Sequence, residues 1–412
     1  MLRGKTIKLD PTPTQQAQLA AHVGASRFAY NTVLAHVKEA HRRGEKIGLS
    51  GYELRKWWNE NKNRLAPWWK QNSKEAYSNA ILNLGKALSN FFKGLKKKKH
   101  VGFPRFKKRG VKDSYTITAG AFGVVDNCGI LLPKIGRIHT LENLAEIDPN
   151  SVKSITIRRK ADGWYASLTL NLADPQPRQK TGKTVGIDLG ISQLAVLSDG
   201  TTFPKPDKMK KLESKRRRYA RAVSRKKKGS FNREKAKTKL ARLDKKIADA
   251  RKDSHHKIAA YVAQNYDEVV LEDLDVSSMI RNHRLSKSIS NAAWSTLRSF
   301  IEYKCLEQGV QVTIADRWFS SSKTCSRCGQ VKSKLGLSER VYSCEVCGLV
   351  IARDLNAAKN LDFLNPSVAE STSETLNACG RVISPCADSG MGRARVKQES
   401  SLLDVSGARS SF

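Results

Sequence analysis

The sequence predicts a multidomain α+β protein, and three textures along the chain predict it. Apolar residues recur at three- and four-residue steps between about residues 11 and 97. Short alternating segments broken by Gly and Pro follow to about residue 180, and strand-like runs ending in carboxylates, with two Cys-x2-Cys pairs, occupy the rest. At 412 residues the chain is long enough for several domains, each of roughly 100–200 residues. It carries 75 Lys+Arg against 38 Asp+Glu, a formal charge of +37. Solubility needs far less, and a membrane-surface protein concentrates charge on one amphipathic helix, so the spread of basic residues points to a nucleic-acid partner. No apolar run approaches the ~18 residues of a membrane span, and the charged start Met1–Lys8 has no secretory h-region, so a cytoplasmic protein is expected.

Residues 1–10 alternate in the manner of a strand, with Leu2, Ile7 and Leu9 among Arg, Lys and Thr. After Pro11 and Pro13, residues 11–97 read as a helical lobe. Thr14 is placed to cap a helix running to about Val23, and a second helix is expected from about Ser26 to Arg43. Ser73 opens the clearest helix, whose Tyr77, Ile81, Leu84, Leu88, Phe91 and Leu95 form one stripe. Trp57, Trp58, Trp68 and Trp69 between these helices read as core.

Between Lys93 and Lys112 ten of twenty residues are basic and none is acidic, with Phe103-Pro104-Arg105-Phe106 in the middle. Interleaved aromatic and cationic side chains suit a grip on a nucleic-acid backbone, with Phe103, Arg105 and Lys107 as contacts. Residues 98–180 then read as a small barrel or sandwich of short strands, the last with Ala166, Leu168, Leu170 and Leu172 on one face. The polar, Pro-containing stretch Asp174–Gly182 marks a boundary near residue 181. Between Lys205 and Lys252 lie 22 basic and 5 acidic residues with almost no apolar face, which predicts an arm along a polyanion, with Arg216, Arg217 and Arg218 as contacts, over a solvated helical pair. Residues 365–412 hold ten serines and one aromatic and read as disordered.

Two constellations carry chemistry. Cys325-x2-Cys328 and Cys344-x2-Cys347 are separated by fifteen residues, and a glycine follows each second cysteine, allowing the tight turn that aims two thiolates at one ion. Four thiolates close a tetrahedral shell, so one structural Zn²⁺ is expected within a ribbon over 320–350. Of the other cysteines, Cys128 and Cys305 read as buried, and Cys379 and Cys386 as free thiols of the tail. The second constellation is Asp188 after Val185-Gly186-Ile187, Glu272 after Glu268–Leu271, and Asp354 opening a helical pattern. Carboxylates at the ends of buried strands are costly unless a cation meets them, and hard oxygens suit a divalent ion.

Gly186-Ile187-Asp188-Leu189-Gly190, Leu271-Glu272-Asp273-Leu274, Thr324–Gly329 and Arg353–Ala358, with Gly102–Phe106 and Arg27–Asn31, resemble the TnpB family of insertion-sequence proteins over about residues 1–364. The resemblance implies an RNase H-like (RuvC) nuclease domain over 181–364 with an inserted zinc ribbon and the basic helical insertion 205–252. It also implies a small β-barrel domain, from strand 1–10 and residues 98–180, carrying the recognition lobe. The activity implied is RNA-guided endonucleolytic cleavage of double-stranded DNA beside a short flanking motif, with Asp188, Glu272 and Asp354 as catalytic ligands of two Mg²⁺ ions. The guide RNA would derive from the transposon end, and Lys74, Tyr77 and Ser78 are the candidates for reading the flanking motif. The protein would be a monomer or weak dimer, nucleoid-associated through DNA. The alternatives are a transposase performing strand transfer and a guided DNA-binding regulator that does not cut.

Overall fold

A computed structural model describes residues 1–365 apart from Lys99, Arg284 and Leu337. The disordered-tail reading, with Cys379 and Cys386, lies outside the described residues. The chain is α+β, with one helical and two mixed cores.

The first strand, β1 (Leu2–Asp10), leads through a capping box in which the Thr12 side chain accepts from the Gln15 N–H into α1, one unbroken helix over Pro13–Arg42. Two helices were expected here. Gly24 and Ser26 do not break the helix, because packing holds both of its halves: Leu19 and Val23 enter the core of the first sheet, and Ala25, Ala29, Tyr30, Val33 and Leu34 enter the helical core. Ser50 and Glu53 form a second capping box at the start of α2 (Gly51–Leu65), and Ser73 caps α3 (Lys74–Lys96). Leu34, Leu54, Trp58, Ile81 and Leu84 are the centre of this helical core. Of the four tryptophans read as core, Trp58 is fully buried and Trp57 and Trp69 are half-buried; Trp68 is exposed. At the crossing of α2 and α3, a Cβ on Gly85 would come within 2.4 Å of the Gly51 nitrogen, so only glycine permits this approach.

Six strands then follow: β2 (Ser114–Thr118), β3 (Gly123–Asp126), β4 (Gly129–Leu132), β5 (Gly136–Thr140), β6 (Val152–Lys160) and β7 (Gly163–Asn171). With β1 they form one sheet in the order β2-β6-β7-β1-β5-β4-β3, all pairings antiparallel. The amino-terminal strand is therefore an interior strand, reached only after more than 160 residues have been laid down. Ala166, Leu168 and Leu170 pack inward with Ile7, Ile117, Ile138 and Ile155. Cys128 is half-exposed in the turn between β3 and β4, contrary to its reading as core, because its N–H turns back to the Asp126 carboxylate; Cys305 is fully buried.

The last region opens with β8 (Thr184–Asp188), β9 (Gln193–Leu197) and β10 (Thr202–Pro204). The basic stretch forms α4 (Asp207–Ser224) and the first half of α5 (Phe231–Asn265). These helices pack on each other through Met209, Leu243 and Ile247, so the segment expected to be an arm is a helical pair with a thin apolar seam. The second half of α5 carries Ile258, Ala259, Val262 and Ala263 into the core, making the basic insertion a rigid extension of a core helix. Next come β11 (Glu268–Leu271), α6 (Val276–Met279), α7 (Ser286–Ala292), α8 (Trp294–Gln308), β12 (Gln311–Ile314), the hairpin β13 (Val341–Ser343) with β14 (Val350–Ala352), and α9 (Arg353–Asp362). The second sheet has the order β10-β9-β8-β11-β12; β8, β11 and β12 run parallel and β9 and β10 antiparallel. No described helix is long and apolar enough to cross a membrane.

Candidate active site

The parallel pairing of β8 with β11, Leu271 opposite Ile187, ends with Asp188 and Glu272 side by side at the same edge of the sheet. Asp354 comes from α9, which lies against β8 because residue 186 is glycine: a Cβ there would meet the Ala358 carbonyl oxygen at 2.1 Å and the Asp362 nitrogen at 2.3 Å. Ser198 locks the contact, accepting from the Gly186 N–H and donating to Asp362 Oδ2 at 2.9 Å. Burial pushes the Asp188 carboxyl well above its ordinary range, and the charges of Glu272 and Asp354 push it further, with Arg353 opposing. Glu272 is also raised by burial, against a hydrogen bond from Ser321 Oγ at 2.5 Å. Asp188 thus lies in the field of two further acids with too little positive charge, and an oxygen-only donor set suits hard divalent cations.

The neighbouring Asp273 is its opposite. Arg317 donates to Asp273 Oδ2 from Nη2 at 2.6 Å and Nε at 3.1 Å, and Arg298 Nη1 donates to Oδ1 at 3.0 Å, holding this carboxyl below its usual range. One acid of the Glu272-Asp273 pair is left uncompensated and the other is saturated. Sequence reading missed Arg298, Arg317 and Ser321, since nothing within local spacing joins them to residues 272 and 273.

The four thiols over 325–347 converge so that their sulfurs all lie within 4.8 Å of one another. The Cys325–Cys347 and Cys328–Cys344 Sγ separations are 3.5 and 3.6 Å, close to the ~3.8 Å edge of a tetrahedron with ~2.3 Å Zn–S bonds. The two knuckles are built alike. Cys325 N–H donates to the Gln330 carbonyl and Gly329 N–H back to Cys325, as Cys344 N–H donates to Leu349 and Gly348 N–H back to Cys344. Gly329 and Gly348 adopt φ of 75° and 70°, a conformation that a side chain disfavours. The residues therefore fit a structural zinc. Two buried asparagines of α9 tie the module to the acid site: Asn356 accepts from the Ser326 N–H and donates to the Thr324 carbonyl, and Asn360 donates to the Ser321 and Thr324 carbonyls. Their four-residue spacing after Asp354 was the available sequence signal, and it went unread.

The proposed nucleic-acid contacts are scattered. Lys74 is exposed, but Tyr77 is buried, its hydroxyl donating to the Trp69 carbonyl, and Ser78 is half-buried beside Arg55. All three border a cleft of ~390 Å³ whose rim includes Arg55 and Lys62. Phe103 packs edge-on against Phe91, Arg105 is exposed, and Lys107 lies over the Tyr30 ring at 4.1 Å. Arg216 pairs with Asp244 at 2.6 Å, Arg217 donates to Ser214, and Arg218 lies beside Tyr219.

Three family models match the chain: one described as "Probable transposase" over residues 167–283, a "Cas12f1-like, TNB domain" over 294–361, and a "Helix-turn-helix domain" over 1–46. A Streptomyces pristinaespiralis protein, provisionally named an RNA-guided DNA endonuclease, is 34% identical over 94% of each chain. Escherichia coli K12 InsQ, with the same provisional name, is 32% identical over 87% of this chain and 91% of its own. A solved CasPhi-2 (Cas12j) bound to crRNA aligns with a TM-score of 0.43 at 11% identity, covering 88% of this chain and 97% of that one.

Proposed function

We propose, for a chain that belongs to the TnpB family of insertion-sequence proteins, RNA-guided endonucleolytic cleavage of DNA at the site formed by Asp188, Glu272 and Asp354. The observation that carries this reading is the crowding of two further carboxylates, Glu272 and Asp354, on a half-buried Asp188 whose charge Arg353 opposes only in part. Such a site is unfavourable for the apo protein and favourable once divalent ions arrive. Bound Mg²⁺ would supply Lewis-acid activation of water and stabilisation of the leaving oxygen.

The chain's own residues prepare that chemistry. Asp188, Glu272 and Asp354 would hold the ions, with the charges of Glu272 and Asp354 both acting on Asp188. Ser321 fixes the Glu272 carboxylate by its hydrogen bond, and Arg353, 3.4 Å from Asp354 Oδ1, holds the third acid. Arg298 and Arg317 occupy Asp273 and so keep it from competing as a ligand. The strand order 3-2-1-4-5, with the acids on its central strands and on the helix against them, supports an RNase H-like (RuvC) nuclease domain over residues 181–364. The sheet from β1 and residues 98–180, whose order runs open from β2 to β3, is our candidate for the barrel domain, and the lobe 11–97 inserted after β1 our candidate recognition lobe. The Lys74 cleft is our candidate reader of a flanking motif, and the α4–α5 extension our candidate surface for guide RNA or heteroduplex. Sequence is then read by base pairing, which basic side chains cannot do.

The test is Asp188→Ala in a protein–RNA preparation offered duplex DNA with a guide-matched target. Cleavage should fall to background while guided binding persists. Equal cutting by Asp188→Ala, or equal cutting by the parent without RNA, would sink the reading.

A further inference from the structure

The most exposed large apolar side chain among the described residues is Trp318, at 85%. An indole in water is unremarkable on a mobile loop, but the backbone around this one is fastened on both sides. Ala315 N–H, at the end of β12, donates to the Leu271 carbonyl at 2.8 Å. Arg317, the residue before Trp318, makes the forked contact with Asp273. Trp318 N–H itself donates to Asp316 Oδ1 at 2.8 Å, and Phe319 N–H to the Asp316 carbonyl, closing a tight turn. Ser321, three residues on, is tied to Glu272 and, through its carbonyl, to Asn360 of α9. Trp318 is thus held between two clamps that end on the consecutive residues Glu272 and Asp273, at the rim of the acid site. The neighbouring Phe319 turns inward against Ala315 and Leu361, so the turn sorts one aromatic into the core and the other into solvent.

We propose that Trp318 is a base-stacking platform at the mouth of the acid site, taking one unpaired nucleobase of the DNA strand that enters for cleavage. This rests on the nuclease reading above. The chemistry required is a flat π-face beside a phosphate-handling centre, at fixed height, and sequence-tolerant, since every base has a π-face. A strand reaching three half-buried acids must be single there, and unpaired bases expose apolar faces that an indole on an anchored backbone can cover. By stacking the base near the scissile phosphate, Trp318 sets the strand's register over Asp188, so its effect falls on the cleavage step more than on guided binding. The Asp273 fork, which leaves that acid no ligand role, acquires a function in this picture as the anchor of the platform.

The experiment compares the parent, Trp318→Ala and Trp318→Phe as guide-RNA complexes, in single-turnover cleavage of a matched target. With stacking worth ~1–3 kcal/mol per base, Trp318→Ala should cut at least about fivefold more slowly, with unchanged target affinity, and Trp318→Phe should recover most of the rate. An abasic residue walked along the cut strand should slow the parent by a similar factor at one position, and at that position Trp318→Ala should add little further loss. If the parent cuts and Trp318→Ala cuts equally fast, or if the abasic and Trp318→Ala losses multiply at every position, the platform is refuted. If the parent itself does not cut with RNA, the nuclease reading fails first, and the two failures are told apart by that control.

Discussion

Gly186 shows how much a single residue decides in this chain. Its missing side chain lets α9 lie on β8 and so brings Asp354 to Asp188. Gly186→Ala has to push the Ala358 and Asp362 backbone aside, and forced overpacking of this kind costs about 1–3 kcal/mol or more. Its denaturation midpoint should fall and its cleavage collapse, whereas Gly4→Ala, with open space around its Cβ, should change neither. Equal midpoints for Gly186→Ala and the parent would show that α9 has slack there. His255 is a second decisive residue. It is fully buried in α5, and burial, then Arg251, hold its pKa down to about 4 against a hydrogen bond with the Ala292 backbone. Because the folded pKa is depressed, this neutral imidazole contributes stability fully present above about pH 6.5 and lost progressively as pH falls toward 4, by up to about 3 kcal/mol. His255→Leu should therefore narrow the gap between unfolding midpoints measured near neutrality and at about pH 5. An undiminished gap would place the acid sensitivity elsewhere.

Elements add what residues cannot. The zinc module is too short to hold a core: among its buried residues are Tyr342 and two of the four cysteines. Its turns aim four thiols at one point, where a shared ion would hold them, and Asn356 and Asn360 tie the module to α9. Cys344→Ser should lower bound zinc below the one ion per chain expected of the parent by elemental analysis, and should expose residues 320–350 to protease. Cleavage should fall as well, because α9 carries Asp354. Parent protein without stoichiometric zinc would overturn the module's assignment. The helices tell a related story of local and distant control. Ser73 announces its helix as expected, whereas the first helix is capped by Thr12, two residues before the expected Thr14, and Ser50 caps α2 by a local signal that was not read. The continuity of α1 and the pairing of α4 with α5 were not legible, because a glycine or a thin apolar seam is tolerated or not according to what packs across it.

At the scale of the whole molecule, the charge of +37 sets how binding responds to salt. Each phosphate neutralised releases counterions, so the slope of log affinity against log salt counts contacts. Replacing Arg217 and Arg218 with alanine should flatten that slope for the RNA complex by about one contact each. Replacing Arg216, already paired with Asp244, should change it less. A slope identical to the parent's for the Arg217 and Arg218 variants would remove the α4–α5 extension from the nucleic-acid surface.

The sequence by itself determined what local chemistry can write: the basic balance, the two cysteine knuckles with their glycines, the capped helices and the alternating strands. Each depends on contacts a few residues apart or on composition, which folding does not alter. The tertiary structure decided which of two adjacent acids is free. In Leu271-Glu272-Asp273-Leu274 both carboxylates are equal as letters, yet Glu272 is half-buried beside Asp188 and raised, while Asp273 is clamped by Arg298 and Arg317 and lowered. It also buried Tyr77, read from sequence as a contact, and fastened Trp318 in the open. For Glu272 and Asp273 the outcome turns on hydrogen-bond partners 25 to 49 residues away. Only the packing of β8, β11 and α9 brings such partners within the few ångströms over which hydrogen bonds and burial act.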